Sequence, residues 1–283
     1  MKDKLVVISG ANAGIGFATA KSLLQQGAKI AMFCRNVEKA EQAKKELIEL
    51  TNNDAIEIFQ VDMTSFPSIE NACNQFKEKY DKLDVLVNNA GGTFSNFELT
   101  EHNLEKTMAV NHFGYFLMTY HLLPLLKKRE NARIVSVSSK AHYRGKIDFE
   151  TINKEEGYFV FSQYEHSKFA NVLFTKYLAR QLKDSGITVN CLHPGVVKTK
   201  IGNKSGKTFH GIAWSIFSFF GINADNGAKT SVYLASSTDV ENVSGEYFDK
   251  CKQMKSSYSS YDTDLQEKLW KWSEELAGVK YSF

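Results

Sequence analysis

Apolar positions along the chain fall into two alternating rhythms. Short continuous runs, beginning with Leu5-Val6-Val7-Ile8, have the character of strands buried on both faces. Similar runs occupy residues 29–33, 55–60, 83–87, 133–137 and 187–192. Between them, apolar residues at helical spacing predict helices up to about residue 26, over 37–50, from Pro67 onward, over 101–126 and around 161–173. A helix over 225–236, a last edge strand at 245–248 and a closing helix over 264–276 complete the series. Strands alternating with helices in this way predict an α/β fold with a doubly wound parallel sheet. No linker, repeat or low-complexity tract marks a second domain, so residues 1–283 read as a single domain. The rhythm breaks over 196–223, which is first polar and glycine-rich, then aromatic, with Phe209, Trp214, Phe217, Phe219 and Phe220.

Composition narrows the class. With 43% hydrophobic residues in 283, a sizeable core is expected and global disorder is not. The net charge of +3 is spread along the chain without a basic block, which gives no case for nucleic-acid binding. Cys34, Cys73, Cys191 and Cys251 are far apart, arguing against a disulfide framework or a zinc site and for a reducing compartment. Met1-Lys2-Asp3-Lys4 leads straight into the first strand, without a signal peptide. No apolar run reaches the ~18 residues of a spanning helix. The expectation is a soluble, cytoplasmic protein that needs no metal.

Three stretches carry candidate chemistry. The first strand breaks into Ser9-Gly10-Ala11-Asn12-Ala13-Gly14-Ile15-Gly16 and then feeds a helix. Glycines that let the backbone approach, together with unpaired amides at a helix N-terminus, make a cradle for a diphosphate. The spacing is G-x3-G-x-G rather than the standard G-x-G-x2-G, and a plain glycine-rich loop is the alternative. Tyr164-Glu165-His166-Ser167-Lys168 lies in a helical stretch, so the phenol and the ammonium share one face. A tyrosine with pKa ~10 becomes a usable general acid and base when a fixed positive charge lowers that value. A half-buried tyrosine near a solvated lysine is the competing reading. At the end of the second strand stands Arg35, where an NAD-selective site usually carries an acid. A guanidinium there matches the 2′-phosphate of NADP(H), with Asn36 and Lys39 able to assist; a solvated loop arginine is the alternative.

Taken in order, these landmarks resemble the short-chain dehydrogenase/reductase family over roughly residues 4–250, and hence its Rossmann fold. Ser9-Gly10-x3-Gly14-x-Gly16 resembles the coenzyme loop, Asp62 the adenine-binding acid, and Asn88-Asn89-Ala90-Gly91 the N-N-A-G turn. Asn111, Ser139, Tyr164 and Lys168 fall where the family places its catalytic tetrad, and Pro194-Gly195 with Val197 and Thr199 where it holds the nicotinamide carboxamide. Cys34-Arg35, His193-Pro194-Gly195 and Tyr247-Phe248 are most similar to the retinol dehydrogenase group.

The resemblance implies hydride transfer between NADP(H) and a lipophilic carbonyl or alcohol. Cofactor contacts would come from Ser9, Gly10, Asn12, Gly14, Ile15, Gly16, Arg35, Asp62, Asn89, Ala90, Gly91, Tyr164, Lys168, Pro194, Gly195, Val197 and Thr199. Tyr164 would exchange the proton, Ser139 would bond the substrate oxygen, Lys168 would lower the phenol's pKa and bind the ribose, and Asn111 would hold a water. Ser138 is the neighbouring alternative to Ser139; strand alternation and the family pattern favour Ser139. Asn111 has a plainer reading as a helix residue bonded to backbone. His193 and His166 are read as structural. The segment 140–160 is expected to form one wall of the substrate pocket. The aromatic run at 209–220 is expected to form a lid within 196–223, with core packing as the alternative. Competing functions are a cofactor-binding regulator without chemistry and an NAD-dependent epimerase or dehydratase. The complete Asn-Ser-Tyr-Lys set counts against the former, and the lack of room for a substrate domain against the latter. A homodimer through the helices carrying Asn111 and Tyr164, and peripheral membrane contact, are both left open.

Overall fold

The computed structural model describes residues 1–195 and 223–283. Eight strands, β1 (Leu5–Ser9), β2 (Lys29–Cys34), β3 (Ile56–Gln60), β4 (Val85–Asn88), β5 (Arg133–Val137), β6 (Thr188–His193), β7 (Tyr247–Asp249) and β8 (Lys252–Met254), form one sheet. Their order is β3-β2-β1-β4-β5-β6-β7-β8, with β1 to β7 parallel and β8 antiparallel to β7. The order reverses between β1 and β4, which opens a crevice at the carboxyl ends of those strands, where ligands of such sheets bind.

Helices cover both faces: α1 (Gly14–Gln25), α2 (Val37–Thr51), α3 (Phe66–Lys79), α4 (Lys106–Met108), α5 (Gly114–Leu126), α6 (Val160–Gln181), α7 (Ala224–Ser236) and α8 (Thr263–Ala277). The continuous apolar run of β1 has its reason here. Leu5 and Val7 pack with Phe76 of α3, Phe116 of α5, Phe174 of α6 and Trp270 of α8. Val6 and Ile8 face the other way, toward Leu23 and Leu24 of α1, Leu47 of α2 and Leu234 of α7. Each such side chain, fully buried, stabilises the fold by about 1.5–3 kcal/mol.

Two expectations are corrected. The strand at 245–248 is not an edge: β8 lies outside it, after a turn whose Lys250 and Cys251 both take left-handed backbone angles (φ 51° and 59°). Lys252-Gln253-Met254 is exposed throughout and lacks the apolar signal of a core strand. The helix expected over 101–126 starts only at Lys106. Before it the chain folds back at Asn103 (φ 56°), with the Thr100 and Leu104 backbones bonded at 2.9 Å. Glu105 then caps α4, accepting from the Thr107 and Met108 amides at 2.9 Å each. Between α4 and α5 the helix widens into a π-helical segment, Ala109–Phe113.

The C-terminal helix α8 lies across α5 and α6. The Trp270 ring stacks on Phe174 and Tyr177 at 5.7 and 4.6 Å and meets Phe116 edge-on at 4.9 Å. The Tyr281 hydroxyl donates to the Phe116 carbonyl at 2.6 Å. Phe149 and Ile152, from the long segment after β5, pack into the same covering beside Trp272 and Leu269. Among the described residues, no helix is long and apolar enough to cross a membrane.

Candidate active site

The crevice begins where β1 turns. The amide of Gly10 (φ +69°) donates to the Phe33 carbonyl at 2.8 Å, and α1 starts four residues later. No side chain caps α1, so its first amides are left for another acceptor. A Cβ at Gly16 would collide with the Gly10 carbonyl oxygen and the Asn89 amide group, so only glycine lets helix and loop close this tightly. The Ala11 and Asn12 amides point at the buried Cys34 thiol, and Ile15 packs under α1 against Ala18 and Ala228. Ser9, fully buried, accepts the amides of Asn89 and Ala90 at 2.9 Å each, while Asn89 Nδ2 donates to the Ser9 carbonyl at 2.8 Å. One hydroxyl thus stitches the loop after β1 to the turn after β4.

On the far side, the exposed Arg35 follows β2 and accepts from Gln60 Nε2 through its carbonyl at 3.4 Å. Asn36 spends its side-chain oxygen on the Lys39 amide, capping α2. Asp62, just past β3, accepts from the amide and hydroxyl of Thr64 on a single carboxylate oxygen.

The second cluster sits at the ends of β5 and β6. Ser138 and Ser139 point opposite ways: the buried Ser138 hydroxyl donates to the Lys168 carbonyl at 2.8 Å, whereas Ser139 hydrogen-bonds the Tyr164 phenol. Strand alternation therefore selects Ser139. Lys168 is 3% exposed; its Nζ donates to the Val137 carbonyl at 2.9 Å. That ammonium lies between two tyrosine rings, 5.7 Å from the centroid of Tyr164 and 5.5 Å from that of Tyr115.

Asn111 occupies the π-helical segment, and its side chain is committed. It donates to the Gly92 carbonyl (3.0 Å) and to Ser167 Oγ (2.9 Å), and accepts from the Gly92 amide (2.8 Å). It clamps the turn after β4 onto α6. A Cβ on Gly91 would stand 3.2 Å from Asn111 Oδ1 and 3.5 Å from Lys168 Nζ, so the nucleotide turn and the Tyr-Lys pair share one wall.

Electrostatics depart from the expected picture in one respect. Burial pushes the Tyr164 phenol above its ordinary value, and the Ser139 hydrogen bond works against that rise. Burial also pulls Lys168 down to about 7. The lysine donates to a backbone carbonyl, and desolvation is the larger effect on both groups.

His193 is buried, pulled down to about 4 by burial, and accepts from the Lys140 amide at 3.3 Å; His166 accepts from the Lys146 amide at 3.1 Å. Both serve as backbone partners. Pro194 and Gly195 (φ +87°) leave β6 beside Ser138, whose amide donates to the Leu192 carbonyl. Val197, Thr199 and the aromatic run at 209–220 lie outside the described residues, as does the 196–223 lid apart from Asn223, which caps α7. The 140–160 segment is tied down at several points. His142 lies 2.6 Å from the Ser139 carbonyl and accepts from the Ser257 amide, and the Tyr158 hydroxyl donates to the Phe94 carbonyl at 2.5 Å.

Tyr115, Ser167 and Gly92 belong to this site yet carried no motif of their own. Tyr115 follows Asn111 by four residues, Ser167 precedes Lys168 and Gly92 follows the Asn88-Asn89-Ala90-Gly91 turn, which are the traces of them in the sequence.

The sequence profile of the short chain dehydrogenase family matches residues 4–209. Among curated relatives, mouse retinol dehydrogenase 14 is 39% identical over 99% of this chain and 87% of its own length. Human retinol dehydrogenase 11 is 39% identical with the same coverage of both. Among solved structures, an uncharacterised protein from Mycobacterium paratuberculosis superposes with a TM-score of 0.80 at 28% identity, covering 100% of this chain and 96% of the other. A protein of Escherichia coli CFT073, described as a short chain dehydrogenase and solved with NADPH, gives a TM-score of 0.69 at 23% identity, over 89% and 98%.

Proposed function

The chain belongs to the short-chain dehydrogenase family, in its retinol dehydrogenase group, and on that premise we propose that it moves a hydride between NADP(H) and a lipophilic carbonyl or alcohol. The observation that carries this reading is the Ser139–Tyr164 hydrogen bond at the carboxyl end of the sheet, with Lys168 buried behind it. The cofactor, when bound, supplies or accepts the hydride; the protein supplies position and proton.

The chain's residues fit such a group. The uncapped start of α1, with Gly10, Asn12, Gly14, Ile15 and Gly16, would take the diphosphate. Arg35 would take the 2′-phosphate, Asp62 the adenine, and Asn89, Ala90 and Gly91 the inner ribose side with Tyr164 and Lys168. Pro194, Gly195, Val197 and Thr199 would hold the carboxamide.

Tyr164 then gives its proton to the carbonyl oxygen in reduction and recovers one from the alcohol in oxidation. Ser139 donates to the same oxygen and stabilises its developing charge. Lys168, with a value near neutrality, exchanges protons where an ordinary lysine would stay charged. Asn111 acts as a positioning residue that keeps the Gly91-Gly92 turn against α6. The lipophilic substrate is supported by the names of the relatives; the paired rings of Phe159 and Phe161, just before Tyr164, would form part of its wall. The 196–223 segment would serve as its lid.

The test is a panel of aldehydes and ketones of rising chain length, assayed with NADPH and NADH, for wild type and Arg35→Asp. A guanidinium–phosphate pair contributes ~1.5–3 kcal/mol, so NADPH should be preferred about tenfold to a hundredfold. Arg35→Asp should narrow or invert the preference. A wild type that prefers NADH would overturn the assignment of Arg35, and indifference to chain length would overturn the lipophilic substrate.

A further inference from the structure

At the end of the sheet opposite the catalytic cluster, where β5, β6 and β7 begin, a cavity of about 580 Å³ opens between the last turns of α6 and the start of α8. Its size falls within the roughly 300–1,000 Å³ of ligand sites. Lys176 and Arg180, four residues apart on one side of α6, line it together with Lys183 from the turn that follows the helix. Glu241 is the one carboxylate in the lining, leaving three cations against a single acid.

None of these four groups forms an ion pair among the described residues. Lys176 is the telling one. It is 8% exposed, yet its ammonium meets only neutral partners, the Gly245 carbonyl at 3.1 Å and the face of the Tyr261 ring at 4.1 Å. Lysines this buried are ordinarily paired with a carboxylate. Arg180 donates to the amide oxygen of Gln266 and reaches Glu267 only through its field.

We propose that this cavity is a second binding site, for a small polyanion bearing phosphate groups. An ammonium held in place by neutral contacts, with a guanidinium fork one turn further on, is the donor set that phosphate oxygens take. Lys176 lies eight residues beyond Lys168 on the same helix, about 12 Å along its axis, so the site is separate from the nucleotide crevice.

The experiment is a calorimetric titration with inorganic tripolyphosphate at constant ionic strength. The enzyme is kept saturated with its nicotinamide cofactor, so that the crevice's own phosphate contacts are filled. One saturable site per chain is expected. Arg180 and Lys183 are solvent-exposed, so Arg180→Gln/Lys183→Gln removes two donors without opening the core. That variant should bind at least about tenfold more weakly, the loss expected for a charge-assisted hydrogen bond, with turnover unchanged. Absence of saturable binding, or equal affinity in wild type and variant, would overturn the proposal.

Discussion

Lys168 is the residue whose surroundings leave the clearest mark on solution behaviour. In the folded protein its amine titrates at about 7, against 10.5 ordinarily, because burial disfavours the charged form. Between those values the unfolded chain holds a proton that the folded chain has released, so stability rises with pH through that window. The cost of the buried charge is therefore present in full below about 7 and is relieved as pH climbs toward the ordinary lysine range. Lys168→Met is expected to flatten this rise in the cofactor-free protein, read as the difference in Tm between about pH 6.5 and pH 9. An unchanged rise would assign the titration to another group. At the same scale, Tyr164→Phe should keep cofactor binding and lose ~10²–10⁴-fold in turnover, the range for removing a general acid. Near-normal turnover would sink the proton-transfer role.

That Tyr164 and Lys168 share a helix face, and that Ser139 rather than Ser138 meets the phenol, were legible because both follow from simple periodicities. What the sequence hid was environment. Nothing in Tyr164-Glu165-His166-Ser167-Lys168 shows that burial, not the lysine's charge, dominates the phenol, or that Gly92 and Ser167 bond the Asn111 side chain.

At the level of elements, α8 decides which surfaces remain open. The family resemblance left open a dimer through the helices carrying Asn111 and Tyr164. Here α8 and the Phe149–Ile152 stretch pack on those helices, with His112 and Ser273 side chains 2.7 Å apart beneath them. Trp270, 3% exposed, is the centre of that cover. Trp270→Ala is expected to cost about 3–5 kcal/mol, as large-to-small changes in a core do, and to expose the apolar faces of α5 and α6. Light scattering should then report more self-association in the variant than in wild type. A destabilised variant that stays monomeric would show that the covered face does not drive dimerisation. The closing helix itself was legible from its apolar spacing, to within a residue or so of Thr263–Ala277. Its docking place was not, since Trp270 packs on rings about 100 to 150 residues earlier.

Over the whole molecule, burial keeps His112 at about 3 and His142 and His193 at about 4, and lowers His121 and His166 as well. Below the ordinary 6.5 the unfolded chain takes up protons that these folded positions refuse. Acid therefore destabilises the fold, by up to ~1.4 kcal/mol per pH unit for each fully buried histidine. Urea unfolding should show stability falling steadily from about pH 6.5 to pH 5, before most carboxylates titrate. A flat profile over that range would mean that these rings are accessible to protons in the folded state.

The π-helical segment at Ala109–Phe113 bears on how this enzyme can change over evolutionary time. A widened turn of this kind carries one residue more than an α-helix would, held in place by what it contributes. Deleting one residue there would regularise the helix and re-aim the side chains within the segment. Asn111 would swing away from Gly92 and Ser167, and the turn after β4 would lose its tie to α6. Point substitutions along the outer face leave that registration alone. Lineages descending from this sequence are thus free to drift in composition along this helix, while its length between Glu105 and Gly114 stays fixed.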